Sequence, residues 1–82
     1  MDALLSTREM GWVLGKSSGS IRRMIRDGAI EGVRVPGAFR VPKAEALRVA
    51  RERVEAETGR KVSDRALERL IDEVITTNQR GT

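Results

Sequence analysis

Residues 15–28 read GKSSGSIRRMIRDG, and the fold turns on how this stretch is read. Glycines bracket it at Gly15 and Gly28, and serines crowd its start. Ser17 or Ser18 is a natural N-cap, because a short hydroxyl can accept from the amides of a first helical turn. The spacing therefore predicts a helix running to Asp27, with Gly28 ending it. At about 100° per residue, Ile21, Met24 and Ile25 fall on one side, and Gly19, Arg22, Arg23 and Arg26 on the other. With Lys16, the stretch carries four basic residues against the single acid Asp27. Solvated helix faces ordinarily interleave both signs of charge. This one is a basic face.

Working upstream, LLSTREMGWVLG (4–15) predicts another helix. Ser6 followed three residues later by Glu9 is a capping box, and Leu5 and Met10 flank it as a hydrophobic staple. Met10, Val13 and Leu14 form one apolar stripe, and Gly15 is a C-terminal stop. Trp12, the only tryptophan, lies opposite that stripe. It is available either to the C-terminal helix or to a second protein.

Downstream, AIEGVRVPGAFRVP (29–42) predicts a short hairpin. Val33, Val35, Phe39 and Val41 are strand formers, Arg34 and Arg40 alternate with them, and Pro36-Gly37 supplies the turn. The apolar side is expected to face the helices. Pro42 suits the first turn of a third helix, from Lys43 to Thr58, with Leu47, Ala50 and Val54 on one stripe and Gly59 as its stop. Ser63 caps a last helix, with Val62 and Leu67 as a second staple. Leu67, Leu70, Ile71, Val74 and Ile75 make the strongest apolar stripe in the chain. The polar end TTNQRGT (76–82) is expected to fray.

The chain has 82 residues, a formal net charge of +4, and neither cysteine nor histidine. Its calculated isoelectric point is near 10.6. That length suits one small domain without disulfide or zinc support. A basic surplus suggests nucleic acid as partner. Without histidine or cysteine the groups left for acid–base or nucleophilic chemistry are few, and no glycine loop has the phosphate-cradling order. The expectation is a non-enzyme with no cofactor and no metal. No apolar run approaches a membrane span, and residues 1–15 lack the pattern of a signal peptide; a cytoplasmic, nucleoid-associated protein is expected.

Two short helices joined through a glycine, then a hairpin and a third helix, make the plan of a winged helix-turn-helix. The fold class expected is mainly α with a small β-hairpin wing: a winged helix-turn-helix over residues 1–50, then a C-terminal helical extension over 51–82. The run STRE…LGKSSGSIRRMIRDG, followed by VRV.G.FRVP..AL, resembles the excisionase-type, MerR-like winged helix family of small DNA-binding domains. The resemblance covers about the first fifty residues. It implies a second helix that enters the major groove and a hairpin wing that contacts the minor groove or backbone. By position, Ser18, Ser20, Arg22, Arg23 and Arg26 match the family's recognition-helix contacts, and Arg34 and Arg40 match the basic wing positions. Lys16 adds a phosphate contact. The sequence departs from the pattern at the wing tip Pro36-Gly37-Ala38, at Met24 and at Trp12.

The function expected is sequence-specific binding of double-stranded DNA, as a phage or mobile-element excisionase that bends DNA and helps a recombinase or integrase to assemble. A small MerR-like transcriptional regulator is the alternative within that class. Outside it stands a protein-interaction adaptor, such as an antitoxin or a terminase small-subunit-like module. Over residues 51–82 acids and bases cancel, so DNA binding is not expected there. Instead Trp12, Leu67, Leu70, Ile71, Val74 and Ile75 are candidates for a homodimer or cooperative oligomer on DNA, or for a partner surface.

Overall fold

The computed structural model describes residues 4–80, and for residues 79 and 80 the backbone alone. The chain forms β1 (Leu4–Ser6), α1 (Thr7–Leu14), α2 (Ser18–Arg26), β2 (Val33–Val35), β3 (Ala38–Pro42), α3 (Lys43–Thr58) and α4 (Asp64–Arg80). It is mainly helical, with one small antiparallel sheet of strand order β1-β3-β2.

Local chemistry sets the helix limits. The Ser6 amide donates to Glu9 Oε1 at 2.8 Å and the Glu9 amide to Ser6 Oγ at 3.0 Å, completing the capping box. Gly15, at φ 67°, ends α1 in the left-handed conformation, and the Lys16 amide reaches back to the Gly11 carbonyl at 2.8 Å. Ser17, rather than Ser18, is the N-cap of α2: its Oγ accepts from the Ser20 amide at 3.1 Å. Ser63 Oγ accepts from the Ala66 amide at 3.2 Å in the first turn of α4.

The strand β1 has no counterpart in the sequence-based expectation, which ran Leu4 and Leu5 straight into the α1 cap. Leu5 pairs with Val41 and Leu4 with Pro42, so the staple residue also closes one edge of the sheet. The hairpin departs from expectation as well. A two-residue turn at Pro36-Gly37 sets Val35 opposite Ala38, Arg34 opposite Phe39 and Val33 opposite Arg40. Directly paired residues share a face, so the valines of β2 lie on the side opposite Phe39 and Val41. Val33 is accordingly 46% exposed, whereas Val41 is fully buried. The apolar residues of the hairpin do not form one inward side.

A single core joins both halves of the chain. Leu5, Met10, Leu14, Ile21, Ile30, Val41, Ala46, Val49 and Ile71 form one buried cluster, flanked by Val13, Met24, Ile25, Leu47 and Ile75. Fully burying each of its larger aliphatic side chains contributes about 1.5–3 kcal/mol. On α3 the buried stripe is Ala46, Val49 and Ala50, with Leu47 and Val54 only half-buried.

The far end of α4 corrects another expectation. Residues 76–80 are helical rather than frayed, while Gly81 and Thr82 lie outside the described residues. The side chain of Asn78 donates to Glu9 Oε2 at 3.2 Å. Glu9, 7% exposed, thus accepts from the Ser6 amide with one oxygen and from Asn78 with the other, which fastens the last turn of α4 to the first turn of α1.

Candidate nucleic-acid interface

The α1–α2 unit is held by a close backbone approach. A Cβ placed on Gly11 would collide with the Lys16 carbonyl oxygen, so only glycine lets the turn fold onto α1. The apolar side of α2 seats Ile21 in the core and lays Met24 and Ile25 against it. The other side is thereby fixed outward. Gly19, Ser20, Arg22, Arg23 and Arg26 are exposed there, Lys16 is exposed in the turn, and Ser18 is half-buried. With Ser20 and Ile21 bonded to Ser17, helix geometry leaves the amides of Ser18 and Gly19 to solvent or a ligand.

The two hairpin arginines separate. Arg34 joins Arg22 and Arg26 around an open groove of about 330 Å³ between α2 and the hairpin, completed by Gly37, Ala38 and Phe39. No carboxylate lines it. Arg40 is half-buried on the other side of the hairpin, and its Nη1 donates to the Phe39 carbonyl at 3.0 Å. One hairpin arginine therefore faces the α2 groove while the other braces the hairpin backbone.

Ion pairing sharpens this contrast. Every salt bridge among the described residues has its cation on α3: Lys43, Arg48, Arg51 and Arg53. Among those residues, none of Lys16, Arg22, Arg23, Arg26 or Arg34 has a carboxylate partner. A row of cations without internal partners stays available to polyanions.

The loop from α2 into β2 is clasped by a residue that sequence reading passed over. Pro42, the N-cap of α3, has no N–H, so Glu45 in that first turn cannot close a capping box upon it. Its carboxylate instead accepts from the Glu31 amide at 2.8 Å and from Arg48, Nε at 2.8 Å and Nη2 at 2.6 Å. The Arg48 hydrogen bonds, helped by the Glu31 amide, hold the Glu45 carboxyl below its ordinary 4.5 against the opposing effect of burial. A lowered folded-state value means the stabilisation is complete above that ordinary value and lost as pH falls through the folded one. We expect Glu45→Gln to flatten the pH dependence of stability below about pH 5. Thermal melts of wild type and variant between pH 3 and 7 check this; parallel curves would remove Glu45 as the source. Lys43 is displaced the opposite way, its ammonium held above the ordinary 10.5 chiefly by its hydrogen bond to Asp72.

The C-terminal stripe is divided. Ile71 is fully buried and Leu67 is 2% exposed, so both are occupied within this chain and closed to a second one. Val74 and Ile75 are half-buried, and Leu70 is 39% exposed. Trp12 is 45% exposed, with the Arg8 guanidinium 5.1 Å from its ring centroid, a cation–π stack within one helix. Among the described residues no acidic cluster could hold a metal ion, and no helix is long and apolar enough to cross a membrane. Compared with known families, curated proteins and solved structures, the chain matches no family model, no curated protein and no solved structure.

Proposed function

We propose that this chain is a winged helix-turn-helix DNA-binding protein in which α1 braces α2, α2 enters the major groove, and the β2–β3 hairpin is the wing. The observation that carries the reading is the α2–hairpin groove. Arg22, Arg26 and Arg34, from two different elements, line one carboxylate-free groove beside the exposed Arg23. Phosphate contacts would come from Lys16 and the groove arginines, with base-edge readout by Arg23 and its neighbours on α2. Within DNA binding, the resemblance of residues 1–50 suits an architectural excisionase, with several copies bending a site for a recombinase, and a small MerR-like transcriptional regulator is the alternative that shares the same α2 face. A role as protein adaptor has less to stand on, because Leu67 and Ile71 are buried inside the chain.

The test is equilibrium binding to random-sequence and attachment-site duplexes at two salt concentrations. Arg23→Ala is expected to weaken specific binding by about 1–3 kcal/mol. Arg34→Ala should weaken binding to both duplexes alike and flatten the salt dependence by about one contact. Arg40→Ala should leave affinity nearly unchanged, since its guanidinium is engaged by the Phe39 carbonyl. Absence of binding to either duplex at low salt would end the DNA reading.

A further inference from the structure

The cations of α3 are paired, yet those that follow are not. Arg60 and Lys61 in the α3–α4 corner, with Arg65 and Arg69 on the first turns of α4, are all exposed. Among the described residues, none of the four makes an ion pair. Arg65 and Arg69 line a shallow depression with Ser63 and Ala66.

Of the acids interspersed with them, Asp64 is paired with Arg51, while Glu68 is exposed. From residue 60 to 69 the corner therefore presents four unpaired cations against the single unpaired acid Glu68. Positive charge beside the N-terminus of α4 opposes the helix dipole, and Arg65 with Arg69 is a like-charge pair one turn apart.

We infer that Arg60, Lys61, Arg65 and Arg69 form a second phosphate-contacting surface, which holds the backbone of the duplex outside the segment bound by α2 and the hairpin. The inference rests on the DNA-binding reading above. Its occupant is chosen by charge complementarity: four cations without internal partners suit a regularly spaced polyanion. Size agrees, since the chain measures 38 Å along its longest axis, about one turn of duplex at roughly 34–36 Å. This corner lies in the half whose overall charge balance gave no reason to expect DNA contact; two of the compensating acids, Asp64 and Asp72, are engaged by Arg51 and Lys43 of α3.

The experiment compares a short duplex carrying only the core site with one extended by about one helical turn on each side. Both are titrated with the full chain and with the double variant Arg65→Gln/Arg69→Gln, and each protein's melting temperature is measured in parallel. For wild type the flanks are expected to raise affinity about tenfold and to steepen the salt dependence by about 0.9 per added contact. The variant should keep the wild-type melting temperature and core affinity while losing most of the flank increment. An unchanged increment in the variant would overturn the inference and leave the corner to an acidic protein partner, with the α2 reading intact. Equal loss on both duplexes would also overturn it, since the residues would then belong to the core contact. No binding to either duplex by wild type would remove the DNA reading and this inference together.

Discussion

Ile71→Ala is expected to lower the stability of the whole chain by about 2–5 kcal/mol, a large fraction of what a domain of this size possesses. Ile71 is fully buried in the cluster that contains Leu5, Met10 and Ile21, so the cavity would open at the junction of α4 with the N-terminal elements. Because the core is continuous, unfolding should remain one cooperative transition. Trp12 is the sole tryptophan and reports on α1, while far-ultraviolet circular dichroism is weighted toward the long helices α3 and α4. Urea curves from the two probes should coincide in wild type and move together in the variant. A tryptophan midpoint that stayed in place while the dichroism midpoint fell would show that residues 1–50 fold independently of the extension. Leu70→Ala, at the exposed neighbouring position, should stay within about 0.5 kcal/mol. Any larger effect that varies with protein concentration would point to self-association through that residue.

Gly11→Ala is expected to destabilise, although alanine is ordinarily worth about 1 kcal/mol over glycine inside a helix. The sign reverses because the added methyl meets the Lys16 carbonyl oxygen, which belongs to backbone and cannot rotate away. Displacing the turn should cost about 1–3 kcal/mol and tilt α2 relative to α1, so DNA affinity should fall more than the stability loss alone explains. Gly19→Ala supplies the opposite control. A methyl there meets only the Ser17 hydroxyl at 3.9 Å and the end of Arg22 at 4.0 Å, so stability should be kept or gain up to about 1 kcal/mol. Thermal melts and duplex titrations of the two variants separate these effects; a stable, fully binding Gly11→Ala protein would contradict the role assigned to that close approach.

Much of the helical framework was legible because its signals are local. Ser6 with Glu9, Gly15, Ser17, Gly59 and Ser63 act through hydrogen bonds or backbone conformations that span only a few residues. The basic face of α2 was legible too, once the period-3.6 pattern put Ile21, Met24 and Ile25 together. The hairpin pairing was also within reach: a two-residue turn at Pro36-Gly37 forces Arg34 opposite Phe39 and Arg40 opposite Val33. Reading strand propensity without counting that register placed all the valines on one side.

Other features had no local signal. Strand β1 is three residues long and exists because Leu5 finds Val41 across the sheet. The helical order of residues 76–80 goes with a hydrogen bond between Asn78 and Glu9, sixty-nine positions apart in the chain. Nothing local marks Glu45, because the Glu31 amide it accepts from lies fourteen positions away in the chain. Gly11, a glycine inside a helical pattern, was the one sequence hint of a close approach, and what it approaches lies in the following turn.

By itself the sequence determined where the four helices start, where the first three stop, that α2 carries a basic side, and that no cysteine or histidine chemistry is available. Those properties depend on residue type and on spacing within a few positions. Only the tertiary structure decided which charges remain without partners and which apolar residues remain exposed. It brought Arg34 to Arg22 and Arg26, turned Arg40 back onto the hairpin, buried Leu67 and Ile71, and drew Asp64 to Arg51 of α3. Each of those outcomes depends on what lies opposite a side chain, and that follows from how the elements dock around the core.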